Sequence, residues 1–103
     1  MTDEQLRVGI AEGAHVWSSH AIEEAEHDRL RAREVDSALA AGVRILRRYP
    51  EDRQGESALA LAHLADGRAL HAVIGYGRRP WTIVTVYLPD PGQWNADFTE
   101  RRR

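Results

Sequence analysis

At Gly42 the hydrophobic periodicity of this chain changes, and that change constrains its fold more than any single motif. Upstream, apolar residues recur at helical spacing: Leu6 with Ile10, then Ala21, Ile22 and Ala25, then Val35, Ala38 and Leu39. From Val43 the period becomes two, with Val43, Ile45 and Tyr49 alternating with Arg44, Leu46 and Arg48. The pattern predicts a single α+β domain over residues 1–103, with two or three N-terminal helices packed on a mostly antiparallel sheet of about four strands.

Punctuation sharpens the elements. Asp3 to Glu12 reads as a helix with Asp3 and Glu4 at its positive end, stopped by Gly13. Ala14–Ser18 reads as a short extended link, and Ser18 or Ser19 as the cap of a second helix. A break near Asp28–Arg31 precedes the third helix, which Gly42 ends. Past the strand from Val43, Pro50–Asp52 is turn chemistry and Arg53–Glu56 a polar loop. Asp66-Gly67, between Ser57–Ala65 and Arg68–Tyr76, is the strongest hairpin signal in the chain. Gly77–Pro80 turns the chain into Trp81–Leu88, rich in β-branched and aromatic residues. Pro89–Gly92 ends that strand, with Trp94 and Phe98 placed to anchor the tail on the sheet.

There is no cysteine, which excludes disulfides, thiolate metal sites and cysteine nucleophiles. No apolar run approaches the roughly 18 residues of a membrane helix, and Met1–Glu12 is too acidic for a secretory signal. A cytoplasmic protein is the expectation. Charge is segregated: residues 1–41 hold nine acids against four arginines, net −5, and residues 42–103 ten arginines against seven acids, net +3. Every basic side chain is arginine, whose planar fork suits phosphate. A GC-rich genome produces the same bias.

Five histidines are candidates for proton transfer. His15 and His27 sit in polar surroundings and are expected at the surface, whereas His20, His63 and His71 lie inside elements. Their spacings match no familiar metal-ligand motif, so no metal or other cofactor is expected. A two-residue Asp66-Gly67 turn would set His71 opposite Ala62, and His63 opposite Leu70 on the more apolar face. The loop through Arg78-Arg79-Pro80 leaves the next register open. Three loop residues put His71 beside Tyr87; four put them on opposite faces.

Taken together, Ser19-His20-Ala21, Asp28-x-Leu30, Tyr49-Pro50-x-Asp52, Asp66-Gly67-Arg68-x-Leu70-His71-x-Val73 and Thr85-Val86-Tyr87-x-Pro89-Asp90-Pro91, with Trp94, resemble the domain of unknown function 4258 family over nearly the whole chain. The resemblance implies N-terminal helices on a curved antiparallel sheet, similar to the RelE and MqsR ribonuclease toxins. It also implies a partner, since members are often encoded beside a zinc-finger, helix-turn-helix antitoxin. Many members carry arginines after the Ser-His-Ala helix start; here Glu24, Glu26 and Asp28 intervene before Arg29, Arg31 and Arg33.

The leading expectation is a metal-independent endoribonuclease of a type II toxin–antitoxin module. Its acid and base would be His20 and His71, and Tyr87 would donate or orient a proton. Arg44, Arg48, Arg78, Arg79 and Arg101–Arg103 would contact RNA phosphates, and Tyr49 or Trp94 would stack on a base. The alternative is a non-catalytic interaction module, using the acidic first third or an open sheet edge to engage a protein partner.

Overall fold

A computed structural model describes all 103 residues. Helix α1 (Asp3–Ala11) starts at a capping box in which Thr2 Oγ1 accepts from the Gln5 amide and Gln5 returns the bond to Thr2 N–H. It buries Leu6 and Ile10. Strand β1 (Val16–Trp17) follows, then α2 (Ser19–His27), α3 (Ala32–Ala41), β2 (Arg44–Tyr49), β3 (Ser57–His63), β4 (Ala69–Gly75) and β5 (Thr82–Tyr87). Ser18 caps α2 by accepting from the Ala21 amide, and its own hydroxyl donates to Val84 O.

The five strands form one sheet in the order β1-β5-β4-β3-β2, antiparallel except for β1, which runs parallel to β5. The α+β class and the three helices stand as expected, and the Ala14–Ser18 link supplies a fifth, two-residue strand. It joins the sheet through Val16 N–H to Trp81 O and Ser18 N–H to Ile83 O. Both bonds come from residues too few to carry an alternating pattern. No helix is long and apolar enough to cross a membrane.

The sheet has two unlike faces. Ala60, Ala62, Leu70, Ala72, Ile74, Ile83 and Val86 face the helices and close one core with Leu6, Ile10, Ala21, Ala25, Val35 and Leu39. Burying each of the larger aliphatic side chains stabilises the fold by about 1.5–3 kcal/mol. Ile22, expected in that core, points outward and is 44% exposed. The opposite face carries Arg44, Arg47 and Tyr49 on β2, Leu59, Leu61 and His63 on β3, His71 and Val73 on β4, and Thr85 and Tyr87 on β5. Residues 89–103 cross this second face, with Trp94 buried against it.

Two registers differ from the simplest sequence reading, and a third resolves the alternative left open there. The β3–β4 turn takes three residues rather than two: Leu64 N–H bonds Arg68 O, Gly67 N–H bonds Leu64 O, and Gly67 sits at φ 91°. His71 therefore pairs with Leu61, not Ala62, and His63 with Ala69, not Leu70. That one-residue shift moves His63 off the core side, and it is exposed. In β2 the pairing slips between Ile45 and Arg47, so Arg44 and Arg47 share the outer face while Arg48 turns toward the helix side. A second slip between Val73 and Ile74 leaves His71 directly opposite Tyr87.

Candidate active site on the outer sheet face

His71 stands at the centre of the outer face and is fully buried. Its Nε2 lies 2.8 Å from the Phe98 carbonyl oxygen and its Nδ1 lies 3.1 Å from the Tyr87 hydroxyl. A carbonyl can only accept, so Nε2 carries the proton and donates it. In the neutral ring Nδ1 is then an acceptor, and the Tyr87 O–H donates to it. Trp94 packs edge-on against the imidazole, with centroids 4.4 Å apart and planes at 87°. Arg101 lies over the Trp94 ring, 5.3 Å from its centroid.

The electrostatics follow from that enclosure. Burial pushes the His71 pKa below its usual value, and the bond to the Phe98 carbonyl only partly opposes it. Burial likewise pushes the Tyr87 hydroxyl up; Arg101 opposes this, while Tyr49 and Glu24 add to it. Both groups are thus neutral near pH 7, which is the state their mutual hydrogen bond requires.

The other candidates separate into those on this face and those off it. Arg44 and Arg47 are on it and exposed, and Arg101 reaches it from the tail. Arg48 donates to the Met1 carbonyl, beside the start of α1. Arg78 donates to Arg53 O, and Arg79 borders a cavity with Glu12 and Trp81 beneath α1. These three lie at the sheet end or the helix side. His20 is exposed on α2, 3.3 Å from Glu24, and makes no hydrogen bond to His71 or Tyr87. Glu24 in turn accepts the Val86 amide, and Asp28 accepts that of Leu88, so α2 caps the open edge of β5. Of the stacking candidates, Tyr49 offers an exposed ring, whereas Trp94 is only 4% exposed.

His15 reverses its expectation. Its side chain is 4% exposed and its Nε2 lies 2.9 Å from Asp36, whose same oxygen accepts from Trp17 Nε1 at 3.0 Å. His15 Nδ1 is buried without a partner. The polar residues flanking His15 carry no sign of Asp36, which arrives from α3. His27 is exposed as expected.

Helices on one side, and a basic, aromatic sheet face on the other with a buried histidine bonded to a half-buried tyrosine, define a small α+β domain with a candidate proton-transfer site. The sequence model of DUF4258, a domain of unknown function, matches residues 17–88, and the chain belongs to that family. The match runs from Trp17, the second residue of β1, past the end of β5 to Leu88, and ends where the tail that covers His71 begins. No curated protein and no solved structure matches the chain.

Proposed function

We propose that this chain is a metal-independent endoribonuclease of the toxin type, acting on single-stranded RNA across the outer sheet face. The observation that carries this reading is the His71–Tyr87 pair, 3.1 Å apart, on a sheet face that also bears Arg44 and Arg47. His71 takes the proton of a ribose 2′-hydroxyl as that oxygen attacks the adjacent phosphorus. The bond from phosphorus to the 5′-oxygen breaks, and the departing oxygen takes a proton from water. Tyr87 is a positioning residue: its hydroxyl donates or accepts, so it holds the imidazole in either tautomer. Arginines on the face neutralise the phosphorane charge, and Tyr49 offers a ring on which a base stacks. His20 stands outside this arrangement. An antitoxin partner belongs to the same proposal.

The test is cleavage of a single-stranded RNA in chelator-containing buffer. Tyr87→Phe keeps the ring and removes the hydroxyl; it is expected to lower kcat by about 10- to 100-fold at temperatures where it stays folded, and to cost about 1–3 kcal/mol of stability by leaving His71 Nδ1 unpaired. Equal rates for Tyr87→Phe and the unaltered chain would remove the pair from the chemistry. Expression in cells should arrest growth, and Tyr87→Phe should relieve the arrest.

A second reading, a non-catalytic interaction module, is favoured by one feature. Val8, Val16 and Ile22 are 40–47% exposed within the acidic half. Tight binding of a basic protein partner, blocked by Val16→Asp, together with no RNA cleavage would support it.

A further inference from the structure

In the observed arrangement His71 cannot receive a proton at Nε2, because that atom is already donating to the Phe98 carbonyl. The obstruction comes from residues 89–103, and the way this segment is held is informative. One hydrogen bond joins it to the rest of the chain, and that bond is His71 to Phe98. Its other hydrogen bonds close within the segment. Asp90 gathers the amides of Gly92, Gln93 and Trp94. Asn95 N–H bonds Glu100 O, and Arg102 N–H bonds Gln93 O, flanking an antiparallel bridge between Trp94 and Arg101. The Arg102 guanidinium donates to Pro91 O and Trp94 O. A segment so tied to itself keeps its shape when it moves.

We propose that residues 89–103 are a strap that masks the His71–Tyr87 site, and that RNA reaches the site only when the strap swings away about Leu88–Pro89. This rests on the ribonuclease reading above and adds its regulation. Three further observations agree. Beyond Pro89, which is buried where the strap leaves the body, the strap's one buried side chain is Trp94, set edge-on against His71 itself. On one flank it stands off the body: an open cavity of about 750 Å³ separates Asp97, Phe98 and Thr99 from Arg44, Leu61, His63 and Ala69. Phe98, whose carbonyl forms the latch, sits at φ 61°, a left-handed conformation costly for a bulky side chain.

The chemistry of the latch explains what displaces it. The Phe98 carbonyl presents an oxygen acceptor to Nε2–H, as a phosphate or ribose oxygen does, so strap and RNA compete for one donor. Once the carbonyl leaves, the imidazole is free to carry its proton on Nδ1, donated to the Tyr87 oxygen. The Nε2 lone pair then faces the ribose.

The experiment uses the full chain. Trp94→Ala removes the anchor that packs on His71 while keeping the His71 and Tyr87 side chains themselves, and is expected to raise cleavage of a single-stranded RNA at least fivefold in chelator. The double variant Trp94→Ala/Tyr87→Phe should lose that gain. On the unaltered chain, the bonded, buried His71 Nε2 proton should give a resolved imidazole signal by NMR, and saturating 2′-O-methyl RNA, which binds without being cut, should shift or abolish it as the Phe98 carbonyl is replaced. This second measurement does not depend on how well Trp94→Ala folds. Cleavage by the unaltered chain that Trp94→Ala leaves unchanged or lowers, or a His71 signal that stays unshifted with RNA bound, overturns the strap and leaves the ribonuclease reading standing. No binding or cleavage by either protein overturns both.

Discussion

At the scale of single residues, His71 concentrates what is unusual here, and its protonation should be visible in stability. The folded chain holds it neutral, with Nε2–H on Phe98 O and Nδ1 receiving Tyr87 O–H, and burial keeps its pKa below the usual value of about 6.5. The unfolded chain therefore binds this proton at a higher pH than the folded one. Stability must rise with pH across that interval, because the unfolded state is the more protonated there. The contribution is intact above about pH 6.5, declines as pH falls below it, and levels off under the folded-state value. Urea unfolding of the unaltered chain and His71→Gln from neutral to mildly acidic pH checks this. The unaltered chain should lose more stability on acidification than the variant, and parallel curves would contradict a buried neutral His71. That His71 lies inside a strand was legible from the alternation around it. Its partners were not, because the Phe98 carbonyl lies 27 residues away along the chain.

Elements show where sequence patterns suffice and where they stop. The helices were readable because caps and apolar spacing are local: Thr2, Ser18, and the buried Leu6/Ile10 and Val35/Ala38/Leu39 sets act within one or two turns. The hairpin was readable as a hairpin, but not its register, since Asp66-Gly67 serves a two-residue turn or the end of a three-residue one equally well. Only the pairing of Leu61 with His71 settles it. The bulge in β2 has no sequence mark, yet it decides that Arg47 rather than Arg48 joins Arg44 on the outer face. Packing also overrides propensity in α1. Helix propensity alone would make Gly9→Ala stabilising by about 1 kcal/mol. A Cβ at Gly9, however, would lie 1.9 Å from the ring of Trp81. The ring or the helix must move, and overpacking of this kind typically costs about 1–3 kcal/mol. Gly9→Ala should therefore lower the melting temperature, and a rise would show that α1 does not rest on Trp81.

Across the whole molecule, charge and fold coincide, but less simply than the sequence halves suggest. The acidic third folds into the helices and the basic remainder into sheet and tail, yet only some arginines of that remainder reach the candidate site. Arg44 and Arg47 lie exposed on the outer face, while Arg48 is engaged at the Met1 carbonyl and Arg78 at the Arg53 carbonyl. Net charge treats these side chains alike; geometry does not. Binding of a fluorescent single-stranded RNA, followed from about 50 to about 200 mM salt, separates the two views. Each arginine that no longer neutralises a phosphate should flatten the slope of log K against log salt by about 0.7. The double variant Arg44→Gln/Arg47→Gln is expected to weaken binding and reduce the slope by about 1.4. Arg48→Gln/Arg78→Gln removes the same formal charge from elsewhere and should leave the slope nearly unchanged. Equal flattening by both pairs would mean that RNA responds to the overall charge of the domain, and the outer face would lose its claim as the track along which the strand lies.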